Sequence, residues 1–171
     1  MLTRTRQRLL NVLTLALMAL GCSDKDSSAS DVSASEEGER PPVDSARLAD
    51  WLSSGRYEGY AREPSVHASS GPHGYVQVFF DDLLQSSRLA GDASHPIGAA
   101  AVKEMHDEEQ GPLTGWVVSV KLADNGVKED WLWYQLALGE QTPSVNKAGQ
   151  AVCASCHQAG TDYVLSPPTA P

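Results

Sequence analysis

Five residues near the C-terminus, Cys153-Ala154-Ser155-Cys156-His157, concentrate more chemistry than any other stretch of this 171-residue chain. Two thiols three positions apart can each bond a vinyl group of a porphyrin. The imidazole that follows is then held under the ring, where it can ligate iron. Cys-x-x-Cys-His is for that reason the attachment signature of a c-type haem. Two other readings of the same residues are weaker. Zinc would need Cys153, Cys156 and two histidines, and none pairs with the thiols at a recognisable spacing. A thiol–disulfide redox motif places Cys-x-x-Cys after a strand in a βαβ unit. The surrounding sequence offers no such unit, and that chemistry leaves His157 idle.

Only fourteen residues follow His157, and none is Met or His. Small electron-carrying cytochromes c carry the motif early and take a methionine far downstream as second axial ligand. Any second ligand here comes from upstream, from Met105, His67, His73, His95 or His106. A late motif with no ligand after it favours an open distal face, which binds or transforms small molecules. Helical-bundle cytochromes c′ share the late placement, but the upstream region is too rich in strand signals for a four-helix bundle.

The third cysteine, Cys22, stands apart. A basic start (Arg4, Arg6, Arg8) leads into an apolar run from Leu9 to Leu20, ending in Ala19-Leu20-Gly21-Cys22. This is the pattern of an export signal rather than a spanning helix. With cysteine at the cut it resembles a bacterial lipoprotein signal. That resemblance implies that residues 1–21 are removed, that Cys22 is lipidated, and that Ser23 favours outer-membrane sorting. Lipid on Cys22 and haem on Cys153 and Cys156 leave no thiol over. An ordinary signal peptide would leave Cys22 a free thiol. Export suits the cofactor, because c-type haem is attached outside the cytoplasmic membrane. The net charge of -9 argues against nucleic acid and anionic lipid as partners and permits a basic redox protein.

The elements that must position the motif follow from pattern. Residues 22–44 form an acidic, serine-rich tether with too little apolar surface to repay ordering. The domain spans 45–171, and with 41% hydrophobic residues the chain has enough apolar side chains for a core. Asp44 or Ser45 can cap a short helix through Leu52, which sets Leu48, Trp51 and Leu52 on one face. Residues 61–73 read as loop. Tyr75 to Phe80 is a strand. Asp81 caps a helix over Asp82 to Ala90, with Gly91 at its end. Strands follow at Ala99–His106, Gly115–Leu122 and Trp131–Leu138, and a helix near Gly149–Gln158 presents the motif. The sum is an α+β fold with an antiparallel β-sheet and packed helices.

The late Cys-x-x-Cys-His, Thr161-Asp162-Tyr163-Val164, Ala100-Ala101-Val102-Lys103-Glu104 and Trp131-Leu132-Trp133-Tyr134 together resemble the cytochrome P460 family. The β-sheet cytochromes c′ share its fold. The resemblance covers roughly residues 45–165. It implies that His157 is the proximal ligand and that Lys103 matches the lysine that bonds a meso carbon of the porphyrin. Alternation places Ala101, Lys103 and Met105 on one strand face and Val102, Glu104 and His106 on the other. A lysine attacks carbon only when deprotonated, and burial favours that form. The plainer reading of Lys103 is a solvated or salt-bridged strand lysine.

P460 members oxidise hydroxylamine, and the cytochromes c′ of this fold bind nitric oxide without turnover. Hydroxylamine oxidation benefits from a distal carboxylate. The strand Gly115–Lys121 offers Val117 and Val118 instead, which favours a dry pocket for a neutral diatomic. Phe79, Phe80, Trp131 and Trp133 are candidates to line it. Three functions stand: a gas-binding haem protein, an oxidoreductase acting on hydroxylamine or peroxide, and a tethered electron-transfer cytochrome. The expected cofactor is one covalent haem c. The expected partners are a small ligand or substrate at the haem, a redox protein, a second copy in a homodimer, and the membrane through the lipid anchor alone.

Overall fold

A computed structural model describes residues 40–166. The signal, Cys22 and most of the tether lie outside the described residues. No helix among the described residues is long and apolar enough to cross a membrane.

Helix α1, Ser45–Ser53, starts where the Asp44 carboxylate accepts the Arg47 N–H at 3.0 Å. It buries Leu48, Trp51 and Leu52, as its spacing requires. Two short strands follow, β1 (Ala61–Arg62) and β2 (His67–Ala68), where the sequence reads as loop. Both pair with β3, Tyr75–Phe80. Helix α2, Asp82–Ala90, is capped by the Asp81 carboxylate, which accepts the Leu84 N–H at 2.8 Å. Gly91 ends it at φ 73°, in the left-handed region open to glycine at little cost.

Strands β4 (Ala100–His106), β5 (Leu113–Lys121), β6 (Trp131–Ala137) and β7 (Val145–Ala148) complete an antiparallel sheet. Its order is β1-β3-β4-β5-β6-β7, with β2 also on β3. Helix α3, Ala151–His157, closes the chain of elements. The architecture is α+β, an antiparallel sheet of seven strands with three helices among the described residues.

Period-two alternation divides the sheet into unlike faces. One carries Phe79, Val102, Trp116, Val118, Val120, Leu132, Tyr134 and Leu136, sealed by α1 and Tyr57. The Trp116 indole donates to the Tyr57 hydroxyl at 2.8 Å, and that hydroxyl donates to Glu104 at 2.7 Å. The other face is thinner. Val78, Phe80, Ala99 and Ala101 pack there against α2 through Leu84 and against Val164 from the C-terminal segment.

Candidate functional site

The thinner face carries the candidate chemistry, in rows set by register. Val78 pairs with Lys103, Lys103 with Val117, and Val117 with Gln135. The next row runs Phe80, Ala101, Ser119, Trp133. Lys103 and His157 line the same cleft, together with Val78, Val117 and Trp133. The chain thus brings a strand lysine and a helix histidine to one place from 54 residues apart in sequence. Ala101 also lines that cleft, as the alternation of β4 predicts.

Alternation corrects several expected lining residues. Val118 and Phe79 turn into the opposite core, because each is one residue out of phase with Val117 and Phe80. Trp131 shares the face of Trp133 but lies a row away, its ring against His95. Only Phe80, Val117 and Trp133 of the expected set line the cleft.

His157 is half-buried, its ring 4.6 Å from that of Trp133. Its Nδ1 lies 2.9 Å from the Tyr163 carbonyl. A carbonyl can only accept, so Nδ1 carries the proton and Nε2 keeps its lone pair. Burial, opposed by the Tyr163 bond, lowers the His157 pKa and holds the ring neutral, the form a metal takes. Burial likewise lowers the pKa of Lys103, against the pull of Glu63 and Cys153. The shift is toward the free amine that nucleophilic attack requires. Cys153 is partly buried and Cys156 exposed, both as free thiols. Burial raises the Cys153 pKa.

The expected upstream ligands separate clearly. His106 lies on the opposite face, its Nδ1 on the Gly111 carbonyl and its Nε2 3.4 Å from Glu104. His67 is exposed and held 2.9 Å from Glu63. His95 is buried with Nδ1 on the Ser87 hydroxyl at 2.9 Å. Met105 stays on the Lys103 face, opposite Gly115. His73 is half-buried and feels both Lys103 and His157, and burial followed by those charges lowers its pKa to about 4. No group of three or more His, Cys, Asp or Glu side chains suited to a metal ion occurs among the described residues.

No protein-family model and no curated protein matches this chain. The site must therefore be judged on its own residues.

Those residues fit a haem c in kind. The thiols and the imidazole share one helix, the facing wall is largely apolar, and the Trp133 indole N–H is buried without a hydrogen-bond partner. A buried donor of that sort is costly unless an acceptor meets it. A porphyrin has such acceptors in its propionates. The enclosed space is only about 40 Å³, room for one or two small molecules. A porphyrin is larger than that space, so the fit lies in the chemistry of the residues.

Sequence reasoning passed over that C-terminal segment as a working part. Gly160 has no room for a Cβ against the Val164 carbonyl, and Thr161 bridges to Val164. Arg88 lies over the Phe80 ring at 3.5 Å and donates to the Ser166 carbonyl at 3.0 Å. One signal for the buried Lys121 was legible. The inward row Gly115, Val117, Ser119 of β5 continues to Lys121, and a lysine on a buried row needs an acid partner.

Proposed function

We propose that this chain is an exported, lipid-tethered mono-haem c protein of the cytochrome P460 type. In this reading its distal face is open to a small nitrogenous ligand such as nitric oxide. Cys153 and Cys156 hold the haem, and His157 is the proximal ligand. Lipid on Cys22 ties the chain to the outer membrane, facing the periplasm. The observation that carries the reading is the His157 imidazole, neutral, with Nδ1–H donated to a carbonyl and the Nε2 lone pair left to ligate, in the cleft that Lys103 also lines. Bound there, haem would supply an iron that coordinates the small ligand. The chain supplies the rest: a helix that offers two thiols, an oriented imidazole, and a wall of Val78, Phe80, Ala101 and Val117 that excludes water.

A second reading, oxidation of hydroxylamine, is favoured by Lys103. Its partial burial in that cleft and its lowered pKa suit the nucleophile of a lysine–porphyrin bond, in which one N–H and the meso C–H would be exchanged for C–N with a peroxide-class oxidant taking the two electrons. The reduced optical spectrum of the haem-loaded protein beside Lys103→Ala separates the two. An ordinary five-coordinate c-type spectrum in both, with tight nitric oxide binding and no turnover, is the result expected for gas binding. A broad, red-shifted Soret band that reverts in Lys103→Ala would move the reading to hydroxylamine. Full haem staining on a denaturing gel in Cys156→Ala would count against two-thioether attachment at this motif and so against the haem c reading.

A further inference from the structure

Lys121, the last residue of β5, is 1% exposed. Its ammonium donates to Asp162 Oδ2 at 2.6 Å, to Asp124 Oδ1 at 2.8 Å and to the Ser94 hydroxyl at 2.6 Å. Asp124 is more than half exposed, whereas Asp162 is only 10% exposed. The buried pair is thus Lys121 with Asp162. The same Asp162 oxygen accepts the His95 backbone N–H at 2.8 Å. A loop, a strand end and the C-terminal segment therefore meet at one carboxylate.

That carboxylate sits where the backbone is least comfortable. Asp162 and Tyr163 have φ of 44° and 66°, the only non-glycine residues with positive φ in the structure's described residues. Side chains rarely adopt this region, and two in succession persist only when their surroundings hold them. Their conformation sets the direction of the Tyr163 carbonyl, which receives His157 Nδ1–H at 2.9 Å. The helix that bears His157 is seven residues long and has no side-chain N-cap bond. It does little by itself to fix the ring.

We infer that Lys121 and Asp162 are positioning residues for the His157 imidazole. Their ion pair holds residues 162 and 163 in the left-handed turn that presents the Tyr163 carbonyl to Nδ1. It thereby determines which ring nitrogen His157 offers to a metal. The bearing on iron rests on the haem reading; the bearing on the imidazole does not. A hydrogen bond to Nδ1–H also raises the basicity of the ligating nitrogen. The pair thus sets the electronic character of the proximal ligand as well as its direction.

The test is Asp162→Asn, which keeps size and the acceptor for His95 but removes the charge, with Lys121→Gln beside it. Two readouts are taken on the full chain. Nitrogen-15 NMR of the His157 ring gives the tautomer without any cofactor. The wild type is expected almost wholly as the Nδ1–H form, and both variants as a mixture with the Nε2–H form several-fold more populated. In the haem-loaded ferrous protein, both variants are expected to keep two thioethers by mass, with a lower iron–histidine stretching frequency and a raised reduction potential. Folded variants with wild-type tautomer, stretch and potential overturn the inference. Loss of fold in both, seen by near-ultraviolet circular dichroism, also overturns it, since the pair would then be a general stability element. A wild-type chain that takes no covalent haem overturns the haem reading alone, and the tautomer measurement still decides the positioning claim.

Discussion

His73 and His95 are held as neutral imidazoles, and that arrangement carries a cost in acid. Burial lowers both, with Lys103 and His157 adding to it at His73 and Asp162 opposing it at His95. In the unfolded chain each returns to about 6.5. Between about 6.5 and the His73 value of about 4, the unfolded state binds more protons than the native state. Stability is therefore complete above the unfolded value and falls as pH drops through that window. Asp81 works the other way, since burial raises its carboxyl and protonation of the folded state adds stability as pH falls. The urea midpoint of the cofactor-free chain should decline steadily from neutral pH to about pH 4.5, and less steeply in His73→Gln. Equal slopes would show that His73 titrates freely. At this scale the sequence exposes residue types but not partners. The Cys-x-x-Cys-His residues are adjacent and can be read directly. The Tyr163 carbonyl, Asp162 and Lys121 are joined only through the folded chain.

Helix α2 shows how local signals support a distant site. Asp81 Oδ1 accepts both the Leu84 N–H at 2.8 Å and the Ala100 N–H at 3.1 Å, tying the helix start to β4 three residues before Lys103. Asp81→Ala strands two buried donors and should cost about 2–3 kcal/mol in urea unfolding. Gly91→Ala meets open space but forces φ 73° on a side chain, and should cost only about 1 kcal/mol. A reversed order would mean that the Asp81 bond to β4 is dispensable. Both ends of this helix were legible, as were the bodies of β3, β4, β5 and β6, because caps and period-two patterns are properties of neighbouring residues. Strands β1 and β2 were not. Ala61–Arg62 and His67–Ala68 flank Pro64 and are strands only because β3 offers an edge. Between them the Glu63 carboxylate accepts the Val78 N–H at 2.9 Å, filling a gap in the ladder. Strand β7 likewise exists through its pairing with β6, and its four residues carry no apolar alternation.

Across the whole molecule, packing is uneven in a way that bears on the cofactor. The α1 face has a closed core of large side chains. Helix α3 buries Ala154 alone, exposes Val152 at 66%, and rests on the sheet chiefly through His157 against Trp133. Seven residues are too few for a helix to persist in water without tertiary support. Its hold therefore depends on the small interface with Trp133 and on the turn fixed by Lys121 and Asp162. If a porphyrin lies between α3 and the sheet, two thioethers and an iron–histidine bond would supply the missing support. Hydrogen exchange then discriminates by region. Amides of β3, β4, β5 and β6 should exchange slowly with or without haem. Amides of residues 151–166 should exchange at least tenfold more slowly after covalent loading, since about 1.4 kcal/mol of added local stability gives that factor. The variant lacking both thiols, Cys153→Ala with Cys156→Ala, should keep the fast pattern in the presence of haem. Equal protection of residues 151–166 in loaded and unloaded protein would mean that the polypeptide alone secures α3, and that the cleft beneath it does not open to receive a porphyrin.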